Sequence, residues 1–377
     1  MGVKHAPPKD LALDLSGRTL ADIPVPSGRE EEWRFTPMRR LIGLAQLAEA
    51  GVPVLSIEAP EPVRFSHHAV DASGFRPADR IAVAALELGR TMTVIEVPED
   101  ALLADPIVVS HRGEAVTASV LRIEIGRHAR ATVVIDVTGS GQHAVAVQVV
   151  AAAGADVTLV QVSDGDRDQV YAAQHDLRIG ADAVVRHVAV TLGGDLVRLV
   201  TTAQYEGQGG SLTALGVFFT DAGQHHEHRL FVDHNAPHCA SDVQYKGALQ
   251  GADAHAVWIG DVLIRAEAVG TRTYEMNRNL VLTEGARADS VPNLEIETGD
   301  VTSAGHASAT GRFDEEQLFY LLSRGIPLVE AKRLVVRGFI GDLVARIPVA
   351  SLRDRCTARV EQRLGDRDPR FTFEDES

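Results

Sequence analysis

"GRHARATVVIDV" (126–137), "GADVTLVQV" (154–162) and "GADAVVRHVAV" (180–190) follow one plan: a glycine, one or more small residues, then a β-branched run. Their starts lie 28 and 26 residues apart. "GADAHAVWIGDVLI" from 251 and "GARADSVPNLEIE" from 285 repeat the phrase. Glycine lets a chain change direction without a Cβ clash, so each phrase reads as a turn followed by a strand. A β-sandwich would also give short strands. Recurrence of one turn phrase favours a solenoid, in which each rung stacks on the last.

Outward from these phrases the same period holds. From about residue 60 to 310 the chain reads as strand, with "TMTVIEV", "SVLRIEI", "AVAVQVV" and "VTLVQV" alternating or running β-branched over five to seven residues each. No convincing ten-residue helix interrupts them. Apolar content is 45% with only 5% aromatic, a core of small and β-branched side chains suited to stacked strands. The expected organisation is an N-terminal helical segment and linker (1–59), a β-solenoid core (60–312) and a C-terminal helical domain (313–377).

The flanks change period. In "PSGREEEWRFTPMRRL" acidic residues precede Trp33 and basic ones follow Phe35, an order that complements a helix dipole. "LIGLAQLAEAG" predicts a helix ending at Gly51, and the three prolines of "VPVLSIEAPEPVRF" read as a linker. At the other end, "DEEQLFYLLSRG" pairs Asp314 as N-cap with Gln317 in a capping-box pattern, has Leu318, Leu321 and Leu322 on one stripe, and stops at Gly325. Pro327 opens a second helix with Leu328, Ala331, Leu334 and Val335 on one face. A third places Val349, Leu352, Cys356, Val360 and Leu364 together. These helices would cap the open end of a solenoid or present a docking face. The tail "DRDPRFTFEDES" reads as polar and frayed.

A net charge of −15 disfavours nucleic acid as a partner. "MGVKHAPPKDLALDL" has no apolar core of a signal peptide, and no stretch of about 18 apolar residues spans a membrane. Cys239 and Cys356 stand far apart, which disfavours a disulfide scaffold and points to the cytoplasm.

The histidine cluster "QHHEHRLFVDHNAPHC" offers His225, His226, Glu227, His228, His234, His238 and Cys239. His226 and His228 share one face of a strand, but alternation scatters the rest, so a polar sheet face or rung edge is preferred over a metal site. His238 and Cys239 point to opposite faces, which argues against a nucleophile pair. Cys239 reads as a half-buried packing residue and Cys356 as core. "GQGGS" (207–211) and "GSGQH" (139–143) lack the Lys and Ser/Thr of a phosphate loop, and neither a GxSxG elbow nor an HExxH helix occurs. Carboxylates are abundant although no pair stands out, and a carbohydrate-active β-helix enzyme is kept as a rival.

"HHEHRLFVDHNAPHCASDVQYKGAL", "VWIGDVLI", "NRNLVL", "VPNLEIETGDV", "GHASATG", "DEEQLFYLLSRGI" and "AKRLVVRGF" occur in that order, and "REEEWRFTP" lies near the start. This set resembles the SufB/SufD family of iron–sulfur cluster assembly proteins. The resemblance implies a mainly β fold, a right-handed parallel β-helix with a C-terminal helical domain. It implies partners: a SufB-like paralogue through the β-helix and the ATPase SufC through the C-terminal helices, with a homodimer as an open reading for the isolated chain. A transient iron–sulfur cluster shared with SufB and reduced flavin in the complex are the implied cofactors. The chain would be a non-catalytic scaffold with no ATP site, and it carries no flavin motif.

The SufB branch uses a cysteine near the segment matching "MNRNLVL" and a glutamate after the matched histidine. Here Arg278 and its neighbours include no cysteine, and Ala307 follows His306, so the resemblance implies SufD rather than a SufB-like scaffold holding the cluster directly. His306, with Gly311 five residues on, maps to the histidine at the SufB–SufD interface. Many relatives carry a cysteine where this chain has Ala304. An imidazole suits iron and carries protons near neutral pH. Alone it cannot hold a metal, so His306 would share one with the partner chain. Phe319, Tyr320, Arg324 and Gly325 fall in the segment that docks the ATPase. Tyr320 and Arg324, spaced i, i+4, share a face.

Overall fold

Alternation of inward and outward side chains builds two sheets from one chain. The computed structural model describes residues 14–312 and 315–365. Among the described residues eighteen strands divide into two nine-stranded sheets, and from Met92–Val97 onward successive strands alternate between them. Within each sheet the neighbours are parallel except at the N-terminal edge. The result is a parallel β-solenoid of about eight turns. Arg130, Asp156 and Val184 are aligned partners on successive rungs, so the spacing of the glycine phrases is the spacing of the rungs. Most strands run ten residues rather than the expected five to seven.

Inward positions fill the interior. In Gln142–Ala151, Val145, Val147 and Val149 point in, while Ala144 and Ala146 lie on the outer face beneath the N-terminal helices. Those small outer residues let a helix approach closely. Helix α1 spans Met38–Ala45 and α2 spans Arg80–Leu88. The α2 run Ile81–Leu86 is buried throughout, and its N-cap Asp79 accepts from the N–H groups of Ile81 and Ala82 at 2.8 and 2.9 Å.

Five expectations for the first part of the chain need correction or fall outside the description. Residues 1–13 are not described. Pro37 splits the charged segment into a short turn, Glu31–Trp33, and α1. Helix α1 ends at Ala45, and Gly51 instead bridges to Thr117. The presumed linker carries strands Val54–Glu58 and Arg64–His68, which add antiparallel edges to the first rung. A nine-residue helix, α2, also interrupts the strand region.

A buried ionic knot fastens this segment to the sheet. Arg198 donates to Asp79 and, at 3.3 Å, to Glu227, and its guanidinium lies 4.2 Å from the Trp33 ring centroid. Glu227 also accepts from Arg229 at 2.9 Å and from Thr36 Oγ1 at 2.7 Å. Burial alone would raise the Glu227 carboxyl, but Arg198, His225 and Arg229 hold it well below the carboxylate range.

Helices α3 (Glu315–Ser323), α4 (Leu328–Val344) and α5 (Ala350–Gly365) follow the last strand. They do not cap the solenoid end. Instead α4 and α5 pack on the outer face of one sheet, against Val160, Val188, Leu215, Val217 and Phe219. Arginines four residues apart on α5 reach aspartates in or just after strands 130–139, 156–163 and 211–220 of that sheet. Arg355 holds Asp136 with two 2.7 Å bonds, Arg359 holds Asp164 with two 2.8 Å bonds, and Arg363 reaches Asp221. The α5 stripe is as expected, with Leu352, Cys356 and Val360 buried. The α4 stripe is rotated by about one residue. Ala331, Val336, Ile340, Leu343 and Val344 are buried, whereas Leu328 and Leu334 are exposed. Asp314 as N-cap, the side chains of Gln317 and Leu318, and the tail 366–377 lie outside the described residues. Among the described residues no helix is long and apolar enough to cross a membrane.

Candidate functional site

Among the described residues the last rung has no neighbour beyond it. Val301–Arg312 ends one sheet and Arg287–Ile296 ends the other, each paired on one side only. Their outer backbone N–H and C=O groups form open edges that a further strand can join.

His306 sits on this rung. Register places Val133, Leu159, His187, Ala214, Val243, Glu275 and His306 in one inward column. Alternation therefore turns His306 toward the interior. With nothing stacked above it, its side chain is still 43% exposed. Glu275, one rung below, is 1% exposed. His306 Nδ1 and Glu275 Oε1 are 3.8 Å apart, beyond a direct hydrogen bond. Burial first, and the Asp261 carboxylate second, push Glu275 up to about 8. Ala304 shares the inward face; Ala307 and Arg278 belong to the outer one.

The interior around this pair is polar. Asn279 Nδ2 donates to Asn277 Oδ1 at 2.7 Å, Ser290 Oγ donates to the same oxygen at 2.8 Å, and Asn277 Nδ2 donates to Tyr245 O. Glu275 is the residue that sequence reading missed. Its signal is parity: in "TRTYEMNRN", Thr273, Glu275, Asn277 and Asn279 occupy the inward positions that strand 130–139 fills with Ala131, Val133, Ile135 and Val137.

On α3, Phe319 is 72% and Tyr320 57% exposed. Arg324 lies over the Tyr320 ring, 5.1 Å from its centroid, as their spacing predicts. Gly325 adopts φ +81°, and Ile326 N–H closes the helix on Leu321 O at 3.2 Å. Exposed Leu322, Leu328 and Leu334 extend the aromatic surface. The structure thus groups Phe319, Tyr320, Arg324 and Gly325 on one short helix and its stop.

The histidine cluster divides between the two faces of one strand, His225–His234. His226, His228 and His234 point into the solenoid interior, not to a polar rung edge. His226 lies 3.0 Å from Thr220 Oγ1 and 3.1 Å from Gly193 O, His228 lies 3.0 Å from Thr191 Oγ1, and His234 lies 2.9 Å from Ser241 Oγ. Burial lowers all three, His228 and His234 to about 3, so they are neutral. His225 and Glu227 face the N-terminal segment. His238 is in the following turn at φ +58°, and Cys239 is fully buried rather than half-buried. Among the described residues no three His, Cys, Asp or Glu side chains gather as a metal site.

The SufBD core domain of the SUF iron–sulfur cluster assembly system matches residues 108–339, which spans the solenoid and the first C-terminal helices. The chain is 50% identical over 356 residues to an iron–sulfur cluster assembly SufBD family protein of Mycobacterium bovis, covering 90% of this chain and 89% of that one. Its counterpart in Mycobacterium leprae is 46% identical over 92% of this chain and 93% of its own. The iron–sulfur cluster assembly protein SufD of Escherichia coli is 24% identical over 96% of this chain and 94% of its own.

Proposed function

The chain belongs to the SufBD family of iron–sulfur cluster assembly proteins, and we propose that it serves there as a SufD-like scaffold subunit of the cytoplasm. Its open last rung pairs edge to edge with a SufB-like paralogue. His306 then stands at the seam, where it ligates iron of the nascent cluster together with groups of the partner. One observation carries this reading: His306 is on the terminal strand, turned inward yet exposed, in a rung whose edges are free.

The helical segment supports the second partnership. Phe319, Tyr320 and Arg324 form an exposed patch of the residue types that anchor interfaces, and it would dock a SufC-like ATPase. Helix α5 is tied to rung aspartates and α4 to the rung residue Lys246, so movement of the docked ATPase would reach the solenoid and its far end. A SufB-like role is less well supported, because Arg278 and its neighbours, Ala304 and Ala307 put no thiol and no extra carboxylate at the matched positions.

Anaerobic co-purification with SufB-like and SufC-like proteins, followed by cluster reconstitution with reduced flavin as electron donor, tests this. The reading expects both partners to be retained, His306→Ala to form no cluster, and Tyr320→Ala with Arg324→Ala to lose the ATPase alone. Retention of neither partner, or full cluster yield from His306→Ala, contradicts it.

A further inference from the structure

We propose that Glu275 is a second iron ligand, so that this chain brings a histidine–carboxylate pair to the seam rather than a lone histidine. The proposal rests on the reading of His306 as a seam ligand and adds a residue to that site.

Glu275 is buried and both of its carboxylate oxygens lack a hydrogen-bond partner. Buried polar groups are nearly always paired, so an orphan carboxylate calls for a partner from outside the described residues. The nearby amides do not answer it: Asn277 and Asn279 bond to each other and to Ser290 and Tyr245. Space for the carboxylate is nonetheless set aside. Gly260 faces it from the opposite sheet, and a Cβ there would collide with Glu275 Oε2 and with the Trp258 ring. The fold clears room for an acid, and among the described residues no donor reaches it within hydrogen-bond distance.

His306 supplies the other half. Two ligands of one ion at about 2.1 Å each lie roughly 3 to 3.5 Å apart in common geometries. The 3.8 Å between His306 Nδ1 and Glu275 Oε1 closes to that span with a small rotation of the exposed imidazole. Imidazole nitrogen and carboxylate oxygen together suit ferrous iron. Glu275 is reached past His306, from the open end. Two ligands leave the remaining positions to sulfide and to the partner, as a site shared across a seam requires.

The test is an anaerobic titration of the complex of this chain with its SufB-like paralogue, using Co(II) as the probe. Visible ligand-field bands and quenching of Trp258 fluorescence are the readouts. Glu275→Gln keeps shape and removes the anionic ligand. It is expected to weaken Co(II) binding at least tenfold and shift the bands, with an unchanged thermal melt. His306→Ala is expected to weaken binding as well. Should the Gln variant fail to fold, Glu275→Met, apolar and of similar volume, takes its place with the same outcomes. Parent affinity and bands in the Glu275 variant, with loss in His306→Ala, overturn the proposal and leave the reading of His306 standing. A parent signal indifferent to both residues, or no saturable signal, overturns both. If the paralogue does not co-purify, the seam reading has failed, and the same titration on the chain alone decides the role of Glu275.

Discussion

Rungs at the two ends of the solenoid share a backbone and have opposite interiors. Near the start, Ile107, Ile123, Val133 and Val147 pack inside, and helix α2 covers one outer face. In the last two rungs the inward positions carry Thr273, Glu275, Asn277, Asn279 and His306, and the far edges are bare. Parallel stacking tolerates both because the ladder hydrogen bonds do not depend on the side chains. The aliphatic rungs supply stability. The polar rungs forgo some of it, which is the pattern of a functional site.

Between the two ends lies a run of buried histidines, and acid should break the molecule there first. His111, His228 and His234 are lowered to about 3 and His187 to about 4, all chiefly by burial, and His175 and His226 lie well below the ordinary value. The unfolded chain takes up protons below about pH 6.5 while the folded one does not, so stability is full above that pH and falls toward pH 3–4. Each histidine contributes at most about 1.4 kcal/mol per pH unit. Denaturant melts at pH 7 and pH 5 should differ by several kcal/mol on this scale. Equal midpoints would mean that these imidazoles are not neutral and buried.

Arg198→Ala would leave Asp79 buried without its cation and Glu227 with Arg229 alone, and should cost about 3–5 kcal/mol. Leu159→Ala, in the aliphatic interior, should cost about 2–5 kcal/mol. Both would be read by urea denaturation, and both should leave cluster yield per folded molecule unchanged. At the other end the pattern reverses. His306→Ala should change stability by less than about 0.5 kcal/mol, since the side chain is exposed and makes no hydrogen bond short enough to count, while cluster yield is lost. A large stability loss from His306→Ala would erase the distinction between the ends.

Much of this contrast is legible in the residues. Glycine phrases at rung spacing and period-two alternation carry the solenoid, and the α5 stripe carries its own packing. The edge strands Val54–Glu58 and Arg64–His68 were hidden by the prolines around them, since Pro punctuates chain in strands and linkers alike. Helix α2 was hidden because a short run buried on nearly all sides has no periodicity. The inward turn of His226, His228 and His234 was hidden because alternation gives parity but not which parity is inside. Glu275 needed the register between rungs, which places it under His306 across 31 residues of chain.

Amide hydrogen exchange tests the seam most directly. The chain is measured alone and with its SufB-like paralogue. The account expects exchange to slow along 301–312 and 287–296, the two bare edges, with 130–139 and 156–163 unchanged. Protection confined to other strands, or none on adding the paralogue, would contradict it.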